Sequence, residues 1–299
     1  MAPKRTRVAE GQMKVFLNPL TDFGFKKVFL DKVLLIAFLN DVTGWNNIID
    51  IRYLPAEQLG DTAKNRKAVF DLYCITADDE HFIVEMQKGQ QHYFADRALF
   101  YASYPIRSQA PRGKDWDYRL DPVCFVSVLN FVLFDDRESE NSVIEKVYLM
   151  RERTKTRFSD KLNFFFIELP KFNKPLDELE TNTDRWLYSL KHLPDLDKRP
   201  PEMQGAIFER LFELAKIEKL TPNEMKTYKK SLLEYSGVRA IADYARDEGE
   251  ARGKEIGEAR KTVQVVMNAH AADYPLESIA HITGLTLEEV KKIIASQLS

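Results

Sequence analysis

The stretch AVFDLYCITADDEHFIVEMQ, residues 68–87, constrains the fold more than any other. Two runs rich in β-branched and aromatic residues flank ADDE at 77–80 and read as the strands of a hairpin. Each run carries a carboxylate among apolar neighbours: Asp71 between Phe70 and Leu72, Glu85 between Val84 and Met86. A carboxylate is rarely buried without a partner or a metal, because the bare charge loses its hydration. The chain must therefore build a sheet around two acids and compensate both.

Alternation along a strand puts Asp71 on one face with Val69 and Tyr73, and Glu85 with Gln87 and Ile83. Loop parity decides whether the two faces coincide. A two-residue Asp78–Asp79 turn sets Asp71 opposite Met86; an odd loop centred on 78 sets it opposite Glu85, and one centred on 79 opposite Gln87. Only the odd loops build a site. Two carboxylates held together repel unless a cation lies between them, and hard oxygen donors of this kind suit Mg²⁺ or Mn²⁺. Gln87 would then orient a water or a phosphate oxygen. A second reading makes both acids structural, paired with Lys67, Arg97 or backbone amides.

Helical periodicity precedes the hairpin in LTDFGFKKVFLDKVLLIAFLNDVTG (20–44), with Asp31 placed to cap a second short helix and Gly44 to end it. IIDIRYLPAEQ (48–58) reads as a strand that stops near Pro55. QQHYFADRALFYASYPIRSQA (90–110) is helical until Pro105 kinks or ends it; DPVCFVSVLNFVLF (121–134) is a fully buried strand, and LNFFFIELPKF (162–172) a further strand ending at Pro170. Helices around a mixed sheet make the class α/β or α+β. From about 174 the pattern is helical, with AIFERLFELAKI (206–217) the clearest amphipathic stretch. RDEGEARGKEIGEARK (246–261) spaces Gly249, Gly253 and Gly257 four apart among charges, which suits a solvated helix or a coiled contact between subunits, and an amphipathic helix pair closes the chain.

The net charge of −2 neither demands nor excludes nucleic acid, which depends on local basic patches. MAPKRTR (1–7) and RERTKTR (151–157) are two such stretches, although charged runs are commonly just solvated. Cys74 and Cys124 lie in apolar runs and form no disulfide framework, which fits a reducing compartment. No window reaches the roughly 18 apolar residues of a membrane-spanning helix, and no apolar segment follows the basic N-terminus as in a secretory signal. A cytoplasmic location is expected.

NRKAVFDLYC…EHFIVEMQ, then YFADRALFYASYPIRSQA and WDYRLDPVCFVSVLNFVLF, together resemble the PD-(D/E)XK nuclease family transposases, also called recombination-promoting nucleases. The opening NPLTDFGFKKVF, the late FIELPKF and the glycine-spaced tail resemble the same family, so the likeness covers nearly the whole chain. It implies an α/β, restriction-endonuclease-like mixed sheet flanked by helices with a C-terminal helical region, a metal-dependent DNA endonuclease activity, and a role in transposition or recombination. Asp71 matches the first acidic ligand and Glu85 the second, for Mg²⁺ with Mn²⁺ able to substitute. Gln87 stands where the wider superfamily usually has lysine, and a neutral amide cannot supply that charge. The proline of the superfamily's name is replaced by Phe70, at a position that does no chemistry.

Further candidates follow from the resemblance. Asp22 would add a metal contact or cap its helix, and Arg97, Tyr101 and Gln109 match polar positions that could reach substrate phosphate, with Tyr101 alternatively core. The five histidines show no ligand spacing. The pattern Ala280-x3-Gly284-x5-Val290 resembles a helix-turn-helix, but Glu288 and Glu289 open its second helix and would face phosphates badly, which favours packing or homodimer formation. The expected organisation is a nuclease-like core at 1–173, a helical region at 174–245, and a charged helix with a helical hairpin at 246–299. The rival functional reading is a cleavage-inactive protein that grips DNA, or an interaction module, on a nuclease fold.

Overall fold

The computed structural model describes residues 14–58, 68–110 and 117–298. The basic stretch at 1–7 and Lys67 lie outside them. Two short helices open the described chain: α1 (Asp22–Phe29) and α2 (Lys32–Thr43). Thr21 caps α1 by accepting from the Gly24 amide, so Asp22 is the first residue inside the helix rather than its cap. Asp31 caps α2 through the Leu34 amide, and Gly44 closes it at φ 75°, a left-handed conformation glycine adopts at little cost.

Among the described residues eight strands follow: β1 (Ile51–Tyr53), β2 (Glu57–Gln58), β3 (Ala68–Val69), β4 (Leu72–Thr76), β5 (His81–Gln87), β6 (Val123–Leu129), β7 (Ile144–Tyr148) and β8 (Leu162–Glu168). The main sheet has the order β1-β4-β5-β6-β8-β7, with β5-β6 and β6-β8 parallel and the other neighbours antiparallel; β2 and β3 form a separate pair. This is the mixed sheet flanked by helices that the resemblance implies. β7 has no counterpart in the sequence reading. Its IEKVY is half-exposed at the sheet edge, and its charged residues hide the strand pattern while discouraging edge-to-edge pairing.

Helix α3 (Phe94–Ser108) links β5 to β6 and covers one face of the sheet. It runs three residues past Pro105 instead of ending there. Its Phe94, Ala98 and Ala102 pack on Ile83, Phe125, Phe164 and Phe166. The opposite face, carrying Phe82, Val84, Met86, Val126 and Phe165, is covered by α1, α2, α4 (Asn182–His192) and α5 (Ala206–Leu214). Both faces are dry, which explains the near-continuous apolar runs of β5, β6 and β8. At the C-terminal end of β8, buried Glu168 pairs with Lys171 at 2.7 Å. One oxygen of Glu168 also accepts from the amides of Leu133 and Phe134, and Lys171 donates to the carbonyls of Phe134 and Ser139 at 2.8 and 2.9 Å. These bonds compensate the buried charges and pin the loop after β6.

The chain divides into two compact units, one running to Arg239 and the other Ala240–Ser299; the division falls within α6 (Pro222–Ala271). The second unit contains α7 (Leu276–Thr283) and α8 (Leu287–Leu298), with Gly284 ending α7 at φ 70°. Its small core is Val266, Ile279 and Val290 with partly buried Leu276, Leu285 and Ile293. No helix among the described residues is long and apolar enough to cross a membrane.

Candidate active site

The β4-β5 register answers the question of loop parity. Leu72 lies opposite Val84 and Ile75 opposite His81, and Thr76 donates its amide to the Glu80 carbonyl at 2.9 Å. The loop is therefore the odd one, Ala77–Asp79 centred on residue 78, with Asp79 at φ 60° and its amide on the Thr76 carbonyl. Three-residue hairpin loops commonly end on a left-handed residue, and aspartate tolerates that conformation better than most. Continuing the register by one residue sets Asp71 opposite Glu85.

Asp71 sits in the bend between β3 and β4, where the chain leaves the small sheet for the large one. There the strand amides bond to carboxylates. Met86 donates its amide to Asp71 Oδ2 at 2.8 Å, and Asp71 donates its own amide to Glu85 Oε1 at 3.0 Å. Each acid is anchored to the backbone of the other's strand. Glu85 Oε2 accepts from Gln87 Nε2 at 3.3 Å and from Arg97 at 3.5 Å, and Arg97 also donates to Gln91 Oε1 at 2.7 Å. Arg97 comes from the first turn of α3 and lies over the Tyr101 ring, 4.8 Å from its centroid.

Burial governs the electrostatics. It raises the Asp71 pKa, with the charge of Asp22 adding to it and the Met86 amide, Lys26 and Arg97 opposing. The Glu85 carboxyl is pushed up to about 8, by burial first and the Asp71 charge second, against the Asp71 amide, Arg97 and Gln87. One long contact to Arg97 leaves the pair short of positive charge. That is the condition in which a divalent cation is attracted.

The donor set fits such an ion in its chemistry: two carboxylates on adjacent strands, with the Gln87 amide beside them. Among the described residues no group of three or more His, Cys, Asp or Glu side chains gathers closely enough to hold a metal. Asp22 lines the same cleft of about 340 Å³ as Asp71 and Gln87, but its carboxylate is paired with Lys26 at 3.0 Å.

The structure brings together Asp71, Glu85, Gln87, Arg97 and Tyr101, with Asp22 on the rim. It does not bring Gln109. That side chain lies twelve residues beyond Arg97, roughly 18 Å along the helix axis, and its amide is bonded to both backbone groups of Asp121. Ser127 is the residue that sequence reasoning passed over. It pairs with Glu85 in the β5-β6 register, is fully buried, and its hydroxyl has no hydrogen-bond partner among the described residues. The signal was present as one hydroxyl inside seven buried strand residues.

Comparison with curated proteins and with solved structures gives no match. A family model does match, across residues 19–245. The bend, the opposed carboxylates and the covering helix all fall within that span, and the chain belongs to the PD-(D/E)XK nuclease family transposases.

Proposed function

We propose that this chain is a metal-dependent DNA endonuclease that hydrolyses phosphodiesters and acts in transposition or recombination, in the cytoplasm. The observation that carries the reading is the register that sets Asp71 opposite Glu85, with both pKa values raised, in a chain of this family. Asp71 and Glu85 would hold Mg²⁺, or Mn²⁺ in its place. When bound, that ion supplies charge neutralisation at the phosphate and a lower pKa for the attacking water. Gln87 hydrogen-bonds the water or a phosphate oxygen, and Arg97, half-buried beside Glu85, faces the substrate's negative charge. Tyr101 keeps the Arg97 guanidinium in place by stacking under it.

The DNA partner has further support in the arm that extends β7. Phe158 donates its amide to the Leu149 carbonyl, Arg151 to Thr156, and Lys155 to Arg151, making a hairpin that exposes Arg151, Arg153 and Lys155. It lies at the opposite end of the sheet from the carboxylates, because Tyr148 pairs with Asn163 whereas Glu145 pairs with Phe166, in the row of Glu85 and Ser127.

The rival, a cleavage-inactive DNA-binding protein, draws on Gln87 standing where lysine is usual. Plasmid nicking at saturating Mn²⁺ separates the two. The wild type is expected to cut, and Asp71→Asn to lose on the order of a hundredfold or more in rate. Binding without cutting would establish the rival; full cleavage by Asp71→Asn would make the carboxylates structural.

A further inference from the structure

Beside the carboxylate cleft runs a second groove, of about 700 Å³, along the exposed side of α3. Its walls include His92, Tyr93, Phe100 and Tyr101, with Asp96 and Arg97 as the charged members. Gln91 lines both this groove and the cleft of Asp71, and Arg97 bonds to Gln91 and to Glu85, so the two adjoin at these side chains. Tyr93, Arg97, Phe100 and Tyr101 recur at the spacing of one helix face.

Tyr93 breaks local rules. It is the N-cap of α3, where serine, threonine, aspartate or asparagine would satisfy a free amide, and its side chain makes no capping bond. Its backbone is left-handed, at φ 62°, ψ 33°, a conformation that is costly for a bulky residue. The residue is 80% exposed, so core packing does not account for it. Phe100 is likewise 44% exposed. A position that opposes local preference without a packing gain points to a surface used for binding.

We propose that this groove is a stacking subsite for an unpaired nucleobase next to the cut phosphate, so that the protein prefers DNA carrying a single-stranded segment at the cleavage site over continuous duplex. The inference rests on the endonuclease reading and names the form of its substrate. Aromatic faces accept any base by stacking, which duplex DNA with its bases stacked inside cannot exploit. Asp96 repels phosphate but accepts hydrogen bonds from exocyclic base amines, so the groove suits a base and not the backbone. Arg97, at the junction, faces the phosphate that joins base and cleft.

The test measures affinity, in chelator so that no divalent ion supports cutting, for a labelled blunt duplex and for the same duplex with a single-stranded overhang. The wild type should bind the overhang substrate more tightly. Tyr93→Ala and Phe100→Ala should each lose about five- to a hundredfold on it, whereas Tyr93→Phe and Phe100→Tyr should retain it. An overhang carrying 2-aminopurine should be quenched on binding the wild type and less so on binding Tyr93→Ala, a readout that a merely structural residue would not move. Equal wild-type affinity for both substrates, or equal losses on both in the alanine variants, overturns the inference. Nicking of plasmid by the same preparation shows whether the endonuclease reading survives that outcome; absence of all DNA binding overturns both.

Discussion

A carboxyl group that is dehydrated and only partly compensated holds its proton to higher pH than an exposed one, and the hairpin raises two of them in this way. Because burial raises the pKa of Asp71 and of Glu85, the folded chain binds protons that the unfolded chain has already released. Stability without metal therefore falls as pH rises from the ordinary carboxylate range to about 8. Thermal melts in chelator should show this fall in the wild type and less of it in Glu85→Gln, whose amide oxygen can still accept from Asp71. A pH-independent difference between the two would show that Glu85 is not titrating. Adding Mn²⁺ should reverse the loss at high pH in the wild type alone. Gln87→Lys should stay active in plasmid nicking and should also flatten the chelator curve, because its charge would stabilise ionised Glu85. The identity of these residues was legible in the sequence as polar interruptions of apolar strands. Their juxtaposition was not, since ADDE is compatible with even and odd loops and only the paired backbone chooses. Gln109 shows the same limit in a helix: periodicity gives the face but not the distance along the axis.

At the scale of elements, the arm extending β7 carries its own prediction. Replacing Arg151, Arg153 and Lys155 together by glutamine should weaken duplex binding. It should also lower the slope of log affinity against log salt by roughly one for each phosphate that the arm no longer neutralises. Cleavage at saturating DNA should hardly change, since the arm is at the far end of the sheet. An unaltered salt slope in a fluorescence-anisotropy titration would mark RERTKTR as a solvated run only. The basic character of this stretch was legible, whereas its strand was not. The apolar residues of IEKVY do not alternate, because two charges stand side by side in its middle and the edge strand is partly exposed along its whole length. β6 was legible for the opposite reason: all seven of its residues are buried. Gly249, Gly253 and Gly257 do not break α6, whose neighbouring residues are good helix formers.

For the whole molecule, the family's span ends at residue 245 and the second compact unit begins at Ala240. The second unit buries few side chains and leaves Tyr274 and Ile282 exposed at 53% and 62%. A core that small is marginal by itself, and we propose that association with a second copy enlarges it. A chain ending near Tyr244 should keep its Mn²⁺ affinity by calorimetry and show a smaller mass by light scattering. Unchanged mass would remove the assembly role, and lost Mn²⁺ binding would tie the tail to the site. That a helical tail follows the sheet was legible from periodicity; the charged run sets its start at 246, whereas the compact unit begins at Ala240, inside α6, which runs on without a break in pattern.

The two amides that bond to carboxylates have a use of their own. The protons on Asp71 and Met86 sit where a sheet would ordinarily offer carbonyls, so their chemical shifts and exchange rates follow the charge on the acids they touch. An ion arriving at the site draws electron density from both acceptors, and the two resonances should move together while other amides of β5 stay still. The hairpin thus carries a pair of internal gauges that report occupancy with no DNA, no turnover and no added label.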